Sequence, residues 1–136
     1  MKDVKDILYT KIYDTISSIT TVYSAVPNNV DFPYVYVGNT VMDEATSSKD
    51  RFFTYGTIDV VIYTKTFHQG SKSELFTLTN SIKQALKATK STTLDLSPNF
   101  NMTVWYISNE VERTETTKNI KTFINTIQYY FEIEQI

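Results

Sequence analysis

Few side chains in this 136-residue sequence have the types and spacing that chemistry requires. His68 is the sole histidine, and its neighbours Gln69 and Gly70 provide no carboxylate to orient it. A general base or a metal ligand normally has such partners, together with further histidine or cysteine side chains. We therefore expect His68 to be an exposed loop residue.

The paired carboxylates also give little indication of catalysis. Asp43 and Glu44 are adjacent, so in an extended segment they point to opposite sides. Glu110 and Glu112 share one face of a predicted strand, but Glu112 adjoins Arg113 near the end of that strand. A general acid and base must converge in environments that separate their pKa values. The pattern favours a solvated strand face instead.

Other reactive motifs are missing from the sequence. Its three glycines, Gly38, Gly56 and Gly70, are too far apart for a GxGxxG motif or a P-loop. The serines have no nucleophile-elbow context. The chain has no cysteine, which excludes disulfides, thiolate metal sites and cysteine nucleophiles. We expect a protein that is not an enzyme and that binds no cofactor and no metal.

Charge and hydropathy place the chain among single-domain proteins. Thirteen Lys and Arg against fifteen Asp and Glu give a net charge of −2, without the basic excess of a nucleic-acid binder. Asp3, Lys5 and Asp6 interrupt the start, where a signal peptide needs an apolar core, and no apolar run of about 18 residues predicts a membrane span. We expect one soluble domain over 1–136, made in the cytoplasm, with no membrane partner and no sequence-specific nucleic acid.

Helical and alternating patterns predict the elements of the first half. Apolar residues recur at helical spacing over 3–20, which indicates an amphipathic first helix. A strand is predicted from Tyr34 to about Val41, followed by an exposed polar loop over 43–50 and a second strand from Arg51 to Thr66. Two β-rich runs joined by a polar loop indicate a hairpin.

The second half is also predicted to consist of a helix followed by strands. Ser71 and Glu74 have the spacing of a capping box and predict a helix of about 17 residues. A short extended piece at 94–96 precedes strands over 102–113 and 119–134. The buried stripe of the helix is Leu75, Leu78, Ile82 and Leu86.

The predicted fold class is α+β, in the order α-β-β-α-β-β with room for one extra short strand. A mostly antiparallel twisted sheet carries both helices on one face, because period-2 strands and helical stripes must bury against each other. Its inner face is predicted to consist of Ile58, Val60, Ile62, Phe123, Ile127, Tyr129 and Phe131.

Two exposed regions are candidates for assembly or partner contacts. One is the polar loop, with Asp43, Glu44, Lys49, Asp50 and the following Arg51. The other is a flank of the second helix, a quarter to a third of a turn from its apolar stripe, with Phe76, Lys83 and Lys87. The alternative for this flank is that Phe76 covers the edge of the core while the lysines only solvate the surface.

Several segments together resemble the tail-terminator (tail-completion) family of long-tailed bacteriophages. Phe32 to Gly38 (FPYVYVG) is similar to the P-Y-V strand that follows the first helix of that family. Arg51–Lys65 resembles its long second strand, Ser73–Leu86 its crossover helix, and Thr122–Glu132 its last strand. The charged, threonine-rich segment 112–118 departs from the compact turn that often joins the final hairpin.

The resemblance implies a structural virion protein at the head-proximal end of the tail. Such a protein caps the tail tube as a ring, most often a hexamer, ends tail polymerisation and provides the surface on which the head docks. Its partners would be copies of itself, the tail tube protein and a head-tail connector or stopper protein. DNA would pass through the lumen without being held.

Other functions remain open at the level of sequence. Another neck component, a head-completion adaptor or a stopper, would also form a ring. A small ligand-binding domain or enzyme would show a deep pocket with convergent polar groups. A cellular peptide-binding adaptor would use an exposed strand edge and remain monomeric.

Overall fold

The computed structural model describes residues 4–48, 51–67, 72–87, 93–118 and 120–135. Helix α1 is followed by strands β1 to β3, then by helix α2 and strands β4 and β5. The bounds are α1 Val4–Ser17, β1 Val22–Tyr23, β2 Tyr34–Ser48, β3 Arg51–Phe67, α2 Ser73–Ala85, β4 Phe100–Thr117 and β5 Ile120–Gln135.

The described strands form one sheet in the order β1-β2-β3-β5-β4. Strand β1 pairs in parallel with β2, at Val35 and Tyr36, and every other pairing is antiparallel. This confirms the predicted α+β fold class and the predicted element order. The extra short strand is β1, however, and the piece at 94–96 is not a strand, although Leu94 and Leu96 are buried.

The core lies between one face of the sheet and both helices. Alternate residues of β3 and β5 point to this face, and all seven residues predicted for it are at most 4% exposed. Helix α1 covers them with Leu8, Ile12 and Ile16, and α2 with the predicted stripe Leu75, Leu78, Ile82 and Leu86. The predicted core is confirmed.

Strand β4 contains two irregularities in its pairing with β5. Met102 pairs with Ile133 and Val104 with Glu132, and a second shift separates Ile107 from Asn109. Each shift inserts one extra residue and so exchanges the two faces of the strand. As a result Met102 and Trp105 face the core, and beyond the second shift Glu110 lies on that same face, opposite Ile127.

The predicted polar loop over 43–50 is wrong, since β2 continues to Ser48 and β3 begins at Arg51. Asp43 pairs with Tyr55 and Thr46 with Phe52, so backbone pairing continues where the side chains suggested a loop. Gly56 is needed in this hairpin, because a Cβ there would collide with the carbonyl oxygen of Val41 across the strands.

Two further sequence expectations need correction. Helix α2 begins two residues after Ser71, its N-cap is Lys72 without a side-chain cap bond, and it ends at Ala85. Ser71 itself lies outside the described residues, and the 13-residue helix is shorter than predicted. The segment 112–118 is mostly strand, and Lys118, with φ 55°, begins a short connection to β5.

Candidate functional site

Trp105 of β4 holds the C-terminal end of α2 on the sheet. Its indole Nε1 donates a hydrogen bond of 2.7 Å to the carbonyl oxygen of Leu86. The indole ring stacks on Tyr129 of β5 with 4.4 Å between centroids and 6° between planes. Helix α2 lies over β3 and β5, and a buried aromatic pair and one buried hydrogen bond tie its C-terminal end to β4.

Two lysines of α2 then reach the outer part of β4. The Lys83 Nζ lies 2.6 Å from the Glu110 Oε1, and Lys72 forms an ion pair with Glu112. Asn125, which is 4% exposed on the core face of β5, donates a 2.7 Å hydrogen bond to the Glu110 Oε2. Glu110 thus accepts one hydrogen bond on each carboxylate oxygen.

These contacts change the acidity of Glu110. Partial burial raises the pKa of its carboxyl, but hydrogen bonds from Asn125 and Lys83 and the Lys83 charge outweigh burial. The net result is a pKa below the ordinary value of Glu. Glu110 and Glu112 share one strand face and are exposed, as predicted, and that face is turned towards the lysines at α2.

We call Asn109–Thr117 the β4 edge, because β4 is the last strand of the sheet on this side. All nine of its residues are exposed, including Val111 at 53%. Its charges are balanced by the two ion pairs to α2 and by a third, in which Arg113 Nη2 lies 3.5 Å from Glu115 Oε1. Within the described part of the chain, its backbone pairs only with β5.

A second open edge lies on the opposite side of the sheet. Strand β1 pairs with β2 at Val35 and Tyr36 only. Beyond that point the strand runs on to Ser48, and β3 is its only described neighbour. We call Val41–Ser48 the β2 edge; Val41, at its start, is 66% exposed.

The face of the sheet opposite the helices, here the bare face, carries exposed aromatic side chains. The rings of Tyr106 and Tyr130 lie 5.1 Å apart, and Tyr106 is 47% exposed. Tyr55 is 37% exposed and stands in register between Asp43 and Glu132. The same face therefore carries exposed tyrosines beside two carboxylates, and tyrosine is a residue type that is enriched in protein interfaces.

The segment that carries the P-Y-V resemblance lies elsewhere on the bare face. Tyr34 is 7% exposed and stacks on Tyr63 of β3, with 4.6 Å between ring centroids. Phe32 packs against Tyr34, and the Lys65 Nζ lies 5.0 Å from the Phe32 ring centroid. These residues fix the start of β2 on the sheet and have a packing role.

The predicted contact residues separate into two groups. Asp43 is exposed and Glu44 lies with it in β2, while Arg51 begins β3; Lys49, Asp50 and His68 lie outside the described residues. Phe76, at 53%, is exposed on α2, and Lys83 is held by Glu110. Lys87 is exposed but lies two residues beyond the end of α2, so its predicted place on the helix is wrong. The first group therefore lies on neighbouring strands at one end of the β2–β3 hairpin, and the second lies on and next to the helix that packs over β3 and β5.

Sequence reasoning missed the polar contacts that join α2 to β4. Glu110 and Glu112 are exposed, as expected, but their ion pairs to Lys83 and Lys72 were not predicted, and Asn125 was not singled out. The available signal was Asn125 itself, a polar residue among the alternating apolar residues of β5. A buried polar side chain normally has a hydrogen-bonding partner, and here that partner is Glu110.

Sites for small ligands or ions are limited in the described ranges. No group of three or more His, Asp or Glu side chains there is arranged to hold a metal ion. An open depression of about 410 Å³ lies between α1 and β2, lined by Lys5, Asp6, Tyr9, Ser24, Val37, Gly38 and Thr40. Neither described helix is long and apolar enough to cross a membrane.

Comparison with known proteins identifies the fold. No protein-family model and no curated protein sequence matches this chain. Among solved structures, it is similar to a chain in the virion of a native gene transfer agent (GTA) particle, with a TM-score of 0.61 and 15% sequence identity. The match covers 95% of this chain and 94% of the other. The chain therefore shares the complete fold of a virion subunit, without appreciable sequence similarity.

Proposed function

We propose that this chain is a structural protein of a phage-like virion that caps the tail tube as a ring. In this role it ends tail polymerisation and provides the surface on which the head docks. The observation that carries the proposal is the fold match over 95% of the chain to a subunit of the gene transfer agent virion. The sequence resemblance to tail terminators, which covers the same elements, gives the finer assignment. The proposed role includes no catalytic step.

The shape of the domain supports assembly into a ring. Contacts between two different surfaces of identical subunits generate a ring when the rotation between neighbours closes. This chain has two such surfaces, since the β4 edge and the β2 edge lie on opposite sides of one sheet. We infer a closed ring, with six subunits as the number that the resemblance implies.

The two faces of the sheet support the capping role. The bare face carries exposed tyrosines with Asp43 and Glu132, whereas the opposite side carries α1 and α2, with exposed Phe76 and Lys87. A ring of such subunits presents different chemistry on its different surfaces. The end of the tail tube can bind one surface of the ring. The opposite surface of the ring does not resemble a tube end, so no further tube subunits add there and growth stops.

Fractionation of particles tests the proposal against its nearest alternative. Headless tails and tailless filled heads from the same lysate would be separated and probed with an antibody to this chain. We expect the protein on headless tails, with a ring at one end of the tube. Its presence only on tailless filled heads would contradict the terminator role and favour a head-completion adaptor or stopper.

A further inference from the structure

We propose that the β4 edge of one copy pairs with the β2 edge of the next copy, so that one antiparallel sheet continues from subunit to subunit. This inference rests on the ring of the proposed function and names the surfaces that form it. The occupant of the β4 edge is thus a second copy of this chain.

The β4 edge has the geometry that strand addition requires. Asn109 to Thr117 pair with Gln128 to Ile120 in unbroken register, so the backbone is regular over nine residues. A regular edge presents a row of unpaired N–H and C=O groups on its free side. The two irregularities of β4 lie outside this segment, before Asn109.

The charged side chains of the β4 edge are not placed to prevent another strand from pairing with it. Natural edge strands discourage pairing with charged side chains that meet an approaching strand. Here Glu110 and Glu112 are drawn to Lys83 and Lys72 of α2. Arg113 is paired with Glu115, and Val111 is an exposed apolar side chain in the middle of the segment. The three glutamates and Arg113 of the edge have no net charge once Lys72 and Lys83 are counted with them, so the edge is open to an incoming strand.

Strand direction selects the β2 edge as the partner. Strands β2, β3, β5 and β4 alternate in direction across the sheet. Through β5 and β3, the β4 edge lies level with the start of β2, where β1 pairs, and the β2 edge lies level with the inner half of β4. A second copy in the same orientation, displaced along the strands by about nine residues or roughly 30 Å, brings its β2 edge beside the β4 edge and antiparallel to it, so the alternation continues. Each contact between subunits pairs the free backbone N–H and C=O groups of one β4 edge with those of one β2 edge. In a closed ring no copy of either edge is left unpaired. Pairing of β4 with β4 of another copy would leave both β2 edges open.

Engineered cysteines test this pairing cleanly, because the natural chain has none. Cysteines would replace Val41 or Asp43 on β2 and Asn109 or Val111 on β4, all on the bare face. Three strand spacings separate β2 from β4 in one chain, about 14 Å, which is too far for a disulfide within a subunit.

After mild oxidation at concentrations where rings form, double variants are expected to give a ladder of covalent multimers that ends at the ring. Single variants should remain monomeric under the same conditions. Disulfide-linked dimers of a single β4 variant, such as Val111→Cys alone, would show β4 paired with β4 and overturn the proposal.

Hydrogen exchange gives a readout that does not depend on the inter-subunit register. On ring formation, amides of the β4 edge and of the β2 edge should become protected together, by at least about tenfold. Val111→Lys, which places a charge on the edge, should reduce ring formation by at least about tenfold without changing the thermal midpoint. Thr10→Lys, at an exposed position of α1, is the matched control and should form rings normally.

The possible failures can be told apart. Rings that form with unchanged exchange at both edges would overturn the edge pairing while leaving the ring of the proposed function intact. A chain that forms no ring at high concentration, and none at tube ends, would overturn both. An equal loss of rings in Val111→Lys and Thr10→Lys would also count against the edge pairing.

Discussion

The two halves of β4 form one strand but are stabilised in different ways. From Phe100 to Ile107 the strand contributes Phe100, Met102 and Trp105 to the core, each at most 5% exposed. From Asn109 to Thr117 no residue is buried, and the strand is held by backbone bonds to β5 and by ion pairs to α2. The comparison shows that the inner half determines stability and leaves the outer half available for contacts between subunits.

The largest effect should come from removing the anchor of the inner half. Trp105→Ala loses the stacking on Tyr129 and the hydrogen bond to Leu86, and we expect a loss of about 3–5 kcal/mol in the free energy of unfolding. Val111→Ala, the matched change in the outer half, should stay within about 0.5 kcal/mol because Val111 is 53% exposed. Equal losses in denaturant unfolding would contradict the division of β4 into two halves.

An intermediate effect is expected where α2 meets the outer half. Glu110→Gln removes the charge that pairs with Lys83, and we expect a loss of up to about 1 kcal/mol near neutral pH, since the pair is partly exposed. The pKa of Glu110 is lowered in the folded state, so its contribution is present above the ordinary value and disappears as pH falls through the lowered pKa. Wild type and variant should therefore differ at neutral pH and converge at acid pH, below the lowered pKa of Glu110.

A second glutamate on the same strand serves as the control for simply removing one negative charge from the β4 edge. Glu115 is also paired, with Arg113, but both side chains are about 60% exposed. Glu115→Gln should leave the free energy of unfolding unchanged at both pH values. A difference for Glu110→Gln that persists at low pH would show that its effect does not come from ionisation.

The smallest effect concerns the hydroxyl of Tyr129, the β5 residue that stacks on Trp105 in the inner half of β4. The Tyr129 Oη is buried, and no described residue makes a hydrogen bond with it. Burial also raises the pKa of this phenol far above its ordinary value. Tyr129→Phe removes an unsatisfied polar atom, so we expect stability to be unchanged or to rise by up to about 1 kcal/mol. A loss of more than about 1 kcal/mol in chemical denaturation would mean that the hydroxyl has a partner.

The core was predictable because its periodicity is regular. Ile58, Val60 and Ile62 alternate along β3 without interruption, and the same holds for the apolar residues of β5. Strand β4 could not be assigned to faces in this way, because the extra residues near Thr103 and Ser108 exchange them twice. The strand over 43–48 was missed since its polar composition is typical of a loop, whereas pairing with β3 extends it.

The site was less predictable than the fold, because its contacts join distant parts of the sequence. Lys83 and Glu110 are 27 residues apart, and Lys72 and Glu112 are 40 apart. Lys83 was predicted to contact a partner from its position on α2; the structure shows it in an ion pair with Glu110, and its role as a partner contact stays a prediction. Phe76 was correctly predicted to be exposed, and its role as a partner contact stays a prediction.

The most direct test of the central proposal is the length of tails assembled with and without this protein. Tails would be imaged by electron microscopy from cells that carry the intact gene, a deletion, or the deletion complemented by the wild-type chain. We predict tails of uniform length with a ring at the head-proximal end when the protein is present, overlong tubes without heads in its absence, and restored length on complementation. Unchanged tube length in the deletion, with the protein located elsewhere on the particle or on no particle, would contradict the account.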